Sequence, residues 1–269
     1  MLTLRAGDAT ATIDTEHGGV LASLTVGDFD VLKTRSEDPE RFGCFPMAPW
    51  AGRTRDGRFV FNGVEHHLPI NLAPHAIHGT VRDRPWVVED ANPLHARLSC
   101  DLGPAWPFAG WAEQKLTLVG DGLDASLSVH SAEGPMPASL GWHPWFRRWV
   151  RGGGAPGVER GVELDLHANA MYERDDDHIA TRRLRRPPPP GPWDDCFTSI
   201  KRPPRLVWPG RLVLTMRSTC NNIVVFSEPT DTICIEPQTA PPDALNHDAD
   251  IVLPDHPLEA TMRWRWSRP

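Results

Sequence analysis

A single carboxylate, Glu236, ends an apolar, β-branched run at 232–238 (TICIEPQ). If this run is a strand, Ile233 and Ile235 point to one face and Glu236 points to the other. The isoleucine face is typical of a core, and the proline-rich loop that follows ends the strand. A carboxylate that a rigid strand presents to a partly enclosed surface is suited to act as a general base. The alternative is an ordinary strand-end glutamate in water, because unpaired Glu is mostly exposed.

A second candidate is His143, which lies among bulky aromatic residues at 141–146 (GWHPWF). Burial in such surroundings lowers the pKa of a histidine or leaves it near neutral, where an acid–base catalyst works best. The alternative is a core histidine that is hydrogen-bonded to the backbone.

Two further residues could bind a polar ligand. Arg53 follows the turn-rich segment 46–52 (PMAPWAG), and its guanidinium could donate paired hydrogen bonds to sugar hydroxyls or to a carboxylate. Asp194 follows a proline-rich loop in 193–197 (WDDCF), where one of the two aspartates could be a turn residue. A surface arginine is the alternative for Arg53.

Histidines at 66, 67, 75 and 78, with Glu65, raise the question of a metal site. Adjacent histidines on a strand diverge, and His75 and His78, three apart, cannot share a strand face. This spacing does not match the His-x-His pattern of a cupin-type site, so we expect no metal.

Composition limits the classes of partner. The formal charge of -7 over 269 residues disfavours nucleic acid and anionic membranes. The five cysteines are scattered without a C-x-x-C pair, which disfavours disulfides and zinc–thiolate sites. No apolar run approaches the ~18 residues of a membrane helix, and the N-terminus does not resemble a signal peptide. Phosphate-loop, dinucleotide and nucleophile-elbow motifs are absent. We therefore expect a cytoplasmic protein with free thiols.

The elements that position these residues are predicted to be strands. The 28 prolines and 22 glycines are dispersed among apolar segments, as in chains of many short strands joined by turns. The clearest hairpin is 58–61 with 64–68 around Asn62-Gly63. A single all-β domain over 1–269 is predicted, with loops at 151–157 and, extended and solvated, at 182–192. Further candidate strands are 10–14, 20–26, 86–89, 96–101, 112–119, 123–131, 162–166, 212–217, 223–226, 232–236 and 259–266.

Taken in order, several segments resemble the aldose 1-epimerase (galactose mutarotase) family. They are 18–24 (GGVLASL), 49–53 (PWAGR) with 56–59 (DGRF), 78–79 (HG), 141–146 (GWHPWF), 193–197 (WDDCF) and 235–238 (IEPQ). The resemblance implies a β-supersandwich, in which large antiparallel sheets stack face to face and a sugar binds in an open cleft. It also implies interconversion of the α and β anomers of a free aldose, with no cofactor and no metal.

The resemblance assigns roles residue by residue. Glu236 matches the family's general base and His143 its general acid. His78 matches a second active-site histidine, which serves both catalysis and sugar binding. Arg53 and Asp194 match the residues that hold sugar hydroxyls.

The sequence departs from the family pattern at three places. Gly52 replaces a common asparagine before the arginine, Trp145 replaces the tyrosine of His-x-Tyr-Phe, and Thr80 replaces an aromatic residue after His78-Gly79. These changes leave the acid and base in place and bear on the preferred sugar.

Two alternatives to a free-aldose epimerase stay open from the sequence. One is a hexose-6-phosphate 1-epimerase on the same fold, for which the arginines at 182, 183, 185 and 186 are candidates. The other is a non-catalytic carbohydrate-binding or sugar-sensing domain. In each case the expected partner is a small sugar, without nucleic acid or membrane, and the chain is a monomer or homodimer.

Overall fold

The computed structural model describes residues 1–38, 40–149 and 161–268, and its regular secondary structure is almost entirely antiparallel strands. The all-β prediction is confirmed, whereas the loop predicted at 151–157 lies outside the described residues. Besides the strands, the described residues form one 3₁₀ turn (Arg55–Gly57) and one short helix, α1 (Ala244–His247). The strands are β1 (Leu2–Ala6), β2 (Ala9–Asp14), β3 (Val20–Val26), β4 (Phe29–Asp30), β5 (Cys44–Met47), β6 (Arg53–Thr54), β7 (Arg58–Phe61), β8 (Val64–His67), β9 (Ala76–Ile77), β10 (Val87–Ala91), β11 (His95–Asp101), β12 (Gly110–Val119), β13 (Gly122–Ser131), β14 (Met136–Ala138), β15 (Gly141–Arg147), β16 (Glu163–Arg174), β17 (Ala180–Arg185), β18 (Asp194–Trp208), β19 (Leu212–Ser218), β20 (Asn222–Phe226), β21 (Thr232–Gln238), β22 (Asp250–Val252) and β23 (Leu258–Ser267).

Two large antiparallel layers follow from the strand pairing. One layer runs β10-β11-β12-β13-β23-β19 and the other runs β20-β21-β15-β5-β3-β2-β1. The long strand β18 joins them, since its first half pairs with β20 and its second half with β19. This chain of pairs is the β-supersandwich that the family resemblance implied.

The core lies between the layers and is built by alternation along each strand. On β12 and β13, buried residues alternate with partly or fully exposed ones, so that one face of each strand packs inward. Phe146 of β15 meets Trp264 of β23 across the core, with ring centroids 5.0 Å apart. Burying these large rings removes apolar area from water, which is the main favourable term in folding.

The predicted hairpin around Asn62-Gly63 is present as β7 and β8. Phe61 pairs with Val64, which leaves a two-residue loop, and both loop residues have positive φ angles of 50° and 77°. Positive φ at both positions is the type I′ geometry that Asn-Gly favours.

Two predictions about loops are corrected by the structure. Residues 180–185 form β17, antiparallel to β16, so the first part of the predicted loop at 182–192 is a strand. Asp194 and Asp195 both lie in β18, so neither is a turn residue.

Among the residues that the structure describes, no helix is long and apolar enough to cross a membrane.

Candidate active site

Register between β15 and β21 places the two main candidates side by side. Gly141 of β15 pairs with Gln238 of β21 and Trp145 pairs with Cys234, so the register between these pairs puts His143 opposite Glu236. Cross-strand neighbours point to the same face, so an imidazole and a carboxylate share one face of the sheet. As the alternation predicts, this face is opposite to the isoleucines of β21, which lie in the main core.

His143 and Glu236 form a close, buried pair. His143 Nε2 lies 3.1 Å from Glu236 Oε1, and the two residues are only 6% and 2% exposed. The second carboxyl oxygen, Oε2, accepts a hydrogen bond of 3.2 Å from Gln238 Nε2. Glu236 is therefore not the exposed strand-end glutamate that was the alternative interpretation.

The imidazole of His143 is held in a stack of aromatic rings. Phe45 stacks on one side with a centroid distance of 4.8 Å, and Trp145 stacks on the other at 4.7 Å. The guanidinium of Arg82 lies 4.7 Å from the Phe45 ring centroid, as in a cation–π contact. A ring packed on both faces has few alternative orientations, so the stack fixes where Nε2 points.

Burial shifts the proton affinities of this pair toward the neutral forms. Burial raises the pKa of Glu236 well above its ordinary value, and the nearby charge of Asp194 raises it further. Arg53 and the hydrogen bond from Gln238 oppose this shift in pKa without cancelling it.

The pKa of His143 moves in the other direction. Burial, reinforced by the positive charge of Arg82, lowers it to about 3. Near neutral pH the pair therefore holds one proton, shared between Glu236 and an imidazole 3.1 Å away.

His78 contacts the pair from a neighbouring segment. Its ring packs edge-on against His143 with a centroid distance of 5.1 Å, and its Nδ1 is buried with no hydrogen-bond partner in the described part of the chain. Burial, then the charges of His143, Arg82 and Arg53, lowers the pKa of His78 well below its ordinary value. An uncharged imidazole with an unused nitrogen can donate or accept a hydrogen bond from a ligand.

An unusual backbone turn places His78 there. His78 directly follows β9 and has a φ of 64°, a conformation rare for a residue with a side chain. The next residue, Gly79, has a φ of 76° and lies against the backbone of Ala48. A Cβ on Gly79 would lie only 1.9 Å from the carbonyl oxygen of Ala48. Left-handed residues held this way cluster at functional sites.

Arg53 and Asp194 form one side of the site. Arg53 Nη2 lies 3.2 Å from Asp194 Oδ2, and Arg174 Nη1 contacts the same oxygen at 3.2 Å. Arg174 also places Nε 2.8 Å from Asp195 Oδ1. Two guanidiniums therefore fix the carboxylate of Asp194, and its other oxygen, Oδ1, has no hydrogen bond or ion pair with the residues that the structure describes.

One open cavity brings all five predicted residues together. Its volume is about 370 Å³, and Arg53, His78, His143, Asp194 and Glu236 all line it. This volume lies within the roughly 300–1,000 Å³ typical of small-molecule sites. A larger surface cavity lies around Pro203 and Arg217 and contains none of these five residues.

Sequence reasoning missed four residues of the site: Gln238, Arg174, Phe45 and Arg82. The signal for Gln238 was present, because a residue two positions after Glu236 on a strand points the same way. Phe45 and Arg174 lie on strands that only long-range pairing brings to the site, and Arg82 lies in a turn between β9 and β10.

The histidines considered as metal ligands are not gathered at one point. Both ring nitrogens of His75 are used, with Nδ1 accepting from the Asp56 backbone N–H and Nε2 lying 3.0 Å from the carbonyl oxygen of Asp177. His67 pairs with Glu65 at the surface.

Within the described part of the chain, another set has ligand atoms within 4.8 Å of one another: His143, Cys234 and Glu236. Burial raises the pKa of Cys234 well above its ordinary value, and a thiol that keeps its proton is a poor metal ligand. The chemistry of this set therefore fits proton transfer better than metal binding.

The arginines after β16 do not reach the cavity. Arg182 pairs with Asp248, and Arg183 Nε lies 2.9 Å from Glu173 Oε2. Neither these residues nor Arg185 and Arg186 line the cavity of the His143–Glu236 pair.

Comparison with known proteins identifies the relatives of this chain. The sequence model of aldose 1-epimerases matches residues 1–264. The uncharacterized protein YihR of Escherichia coli K12 is 32% identical over 153 residues, which is 54% of this chain and 49% of that protein. The uncharacterized protein YphB of the same organism is 31% identical over 38% of this chain and 36% of its own length. The chain thus matches about half of these relatives' length or less.

Solved structures share the whole fold. A galactose mutarotase-like protein from Clostridium acetobutylicum superimposes with a TM-score of 0.84 at 17% identity, covering 99% of this chain and 95% of the other. A homologue of GalM/aldose epimerase from C. elegans gives a TM-score of 0.83 at 17% identity, with coverage of 99% and 98%. At this identity the likeness establishes the fold.

Proposed function

The chain belongs to the aldose 1-epimerase family, and we propose that it interconverts the α and β anomers of a free aldose by general acid–base ring opening. The observation that carries this proposal is the buried His143–Glu236 pair, whose atoms are 3.1 Å apart in a sugar-sized cavity. The enzyme would be an isomerase acting on carbohydrates. We expect it to work in the cytoplasm without a cofactor.

The reaction transfers two protons and breaks one bond. In the form of the pair that carries its one proton on His143, the Glu236 carboxylate removes the proton from the anomeric hydroxyl O1, and the O–H electron pair forms the C1=O1 double bond. The C1–O5 bond breaks, its electrons go to O5, and His143 gives a proton to O5. The aldehyde end then turns about the C1–C2 bond, and the reverse transfers close the ring on the other face.

The closeness of the pair fits this chemistry. O1 and O5 are both bonded to C1, so an acid and a base that serve them must be near neighbours. A base and an acid that act together also require one proton between them, and one shared proton is the state that burial favours for His143 and Glu236. No covalent intermediate is needed.

The other residues bind and orient the sugar in this proposal. Asp194, fixed by two guanidiniums, accepts hydrogen bonds from ring hydroxyls, and Arg53 donates to them. His78 offers its unpaired Nδ1 to a sugar oxygen beside the pair. Each contact orients the ring so that O1 and O5 face Glu236 and His143.

The test is polarimetry of freshly dissolved α-glucose and α-galactose with wild-type protein and the variant Glu236→Gln. Positioned acid–base groups each contribute about 10²–10⁴-fold, so we expect the variant to lose a factor in that range. The matched control Glu113→Gln changes a carboxylate on β12 that pairs with Arg97 outside the cavity, and it should keep wild-type activity. Activity of Glu236→Gln within a few-fold of wild type would refute the assignment.

The two alternatives have less support. A hexose-6-phosphate epimerase would need arginines directed at a phosphate, and Arg182 and Arg183 are paired with acidic residues outside the cavity. A non-catalytic sugar-binding domain gains nothing from a buried acid–base pair, which costs free energy to bury.

A further inference from the structure

The long strand β18 leaves a gap in the sheet where it passes from one layer to the other. Its pairing with β20 ends at Thr198, and its pairing with β19 begins at Arg205. Within the described part of the chain, no strand pairs with 199–204 on that side, although β16 pairs with this stretch on the other side. Backbone groups at such an edge are left to water or to a ligand, and sheet edges can form concavities that bind anions.

A surface cavity of about 560 Å³, here called the gap cavity, lies at this break. Pro204, Met216 and Ile223 are buried and line it together with polar residues. One of these polar residues, Ser199, has a φ of 56°, which is rare for a residue with a side chain. The volume is within the roughly 300–1,000 Å³ of small-molecule sites, and none of the five residues predicted for the active site lines it.

The charged side chains that line the gap cavity are all cationic: Lys201, Arg202 and Arg217. Arg202 Nη2 is neutralised by Asp165 at 2.8 Å, and Asp165 does not line the cavity. Lys201 and Arg217 have no ion pair and no side-chain hydrogen bond with the residues that the structure describes. In a chain of formal charge -7, two cations without a counter-ion in one cavity make a local positive potential that attracts anions.

A like-charge contact adds to this potential. Arg217 of β19 is directly opposite Arg263 of β23, and Arg263 forms no ion pair with any described residue. The acidic residue on the other side of Arg263 is Asp124, whose carboxylate pairs with Arg265 at 2.6 Å. Like charges directly opposite each other on paired strands are destabilising. An anion bound beside Arg217 would offset this repulsion, so the charge pattern favours the occupied form of the cavity.

Uncharged donors complete the set. The hydroxyl of Ser199 and the amide of Asn221 line the gap cavity, and neither side chain is hydrogen-bonded to another described residue. A phosphate monoester carries three strong acceptor oxygens and a charge of about −1.5 to −2 near pH 7. Two cations and two neutral donors with no opposing carboxylate therefore match a phosphoryl group better than a neutral sugar.

We propose that the gap cavity binds a phosphoryl group between Lys201 and Arg217, either as inorganic phosphate or as part of a phosphorylated small molecule. At roughly 30 Å³ per water, the cavity corresponds to about 19 waters, so a phosphoryl group leaves room for a molecule that carries it. The apolar part of such a molecule would contact Met216 and Ile223. This site is separate from the cavity of the acid–base pair and does not depend on the proposed function.

The test is isothermal titration calorimetry at low ionic strength with inorganic phosphate, glucose 6-phosphate and adenosine 5′-monophosphate. We expect at least one of these probes to bind the wild-type protein, and its Kd to rise about tenfold or more in both Arg217→Gln and Lys201→Gln. The matched control is Lys115→Gln, which removes an exposed, unpaired cation on β12 that does not line the cavity. Its Kd should stay within about twofold of wild type.

The three probes distinguish the two sources of the phosphoryl group. Equal Kd values would support inorganic phosphate as the ligand, and a Kd at least tenfold lower for one of the esters would support a phosphorylated molecule. Absence of binding for all three probes would overturn the proposal. So would a loss of binding in Arg82→Gln that Arg217→Gln does not show, since the anion would then lie in the active-site cavity. An equal loss in Lys115→Gln would show attraction by surface charge without a site, and it would also overturn the proposal.

Discussion

His143 and Glu236 face each other across neighbouring antiparallel strands, with Nε2 3.1 Å from Oε1. They are 93 positions apart in the chain, and the pairing of β15 with β21 brings them together. Because both are buried, they titrate as one unit that holds two, one or no protons. Only the form with one proton contains a base and an acid together.

This coupling predicts a broad, bell-shaped pH profile for kcat. As the pH falls through the lowered pKa of His143, about 3, the pair gains a second proton and loses its base. As the pH rises through the raised pKa of Glu236, the pair loses its only proton and therefore its acid. Polarimetry, corrected for spontaneous mutarotation at each pH, should show the acidic limb near 3 and the alkaline limb far above the ordinary pKa of glutamate. An acidic limb near 6.5 would contradict the burial argument.

Arg82 offers a check on the origin of the acidic limb. The groups near His143 include Glu236, Cys234, His78, Arg82 and the two flanking rings, and the positive charge on Arg82 lowers the pKa of His143. Arg82→Gln should therefore move the acidic limb to higher pH. Arg84→Gln, which changes a neighbouring arginine paired with Asp101, should leave the limb in place.

A stability measurement tests the same carboxyl without any substrate. The folded-state pKa of Glu236 is raised, so its proton supports folding below the ordinary pKa of 4.5 and this contribution is lost as pH rises toward the folded value. The loss is about 1.4 kcal/mol per pH unit within that window. Glutamine does not titrate. The Tm of Glu236→Gln minus the Tm of wild type should therefore increase between pH 5 and pH 8.

The control for this measurement is Glu113→Gln, whose carboxylate pairs with Arg97 outside the cavity. Its difference in Tm from wild type should not grow with pH. The same result for Glu236→Gln would mean that the buried carboxyl is ionised in the folded protein. His143 contributes the opposite slope below pH 6.5, but it is present in both proteins being compared.

The sequence predicted the part of the site that local rules control. Alternation along a strand predicted that the side chain of Glu236 lies on the face away from Ile233 and Ile235. The Asn62-Gly63 pair predicted the hairpin. Both predictions depend only on residues that are close in the chain. The roles of the five predicted residues came from a resemblance and stay predictions.

Long-range pairing set the rest of the site, and local patterns do not encode it. Arg174 reaches Asp194 because β16 pairs with β18, and Phe45 reaches His143 because β5 pairs with β15. Predicting such pairs needs the whole topology, because each strand face is compatible with many partners. The long strand β18 was also missed, since its Pro203-Pro204 step is typical of a loop.

Arg174 should act on sugar binding through Asp194. Arg174→Met removes one of the two guanidiniums that hold Asp194 Oδ2, so the carboxylate becomes more mobile. Sugar binding must then order this side chain, which weakens the affinity for the sugar. Hydrogen bonds to charged groups contribute about 1.5–3 kcal/mol, so we expect KM to rise about tenfold or more with kcat within about threefold. Arg97→Met, which breaks an ion pair with Glu113 outside the cavity, is the control. A fall in kcat at constant KM would place Arg174 in the chemical step instead.

Gly79 and Gly63 provide a matched pair for testing the turn that places His78. Their φ angles are 76° and 77°, so an alanine suffers the same backbone strain at each, about 1–2 kcal/mol. They differ in their surroundings, because a Cβ at Gly63 meets nothing within 4 Å, whereas one at Gly79 would lie 1.9 Å from the Ala48 carbonyl oxygen.

The free energy of unfolding of Gly63→Ala, measured by urea denaturation, should therefore fall only by the backbone strain, and its kcat should stay at the wild-type value. Gly79→Ala should lose more stability than Gly63→Ala, because the backbone must move away from Ala48, and that movement displaces the neighbouring His78 from His143. We expect a fall in kcat of about tenfold or more in the folded fraction of Gly79→Ala, since small displacements of a positioned group are costly. Equal losses of stability in the two variants would show that the segment moves freely, and the tight approach of Gly79 to Ala48 would then not be what positions His78.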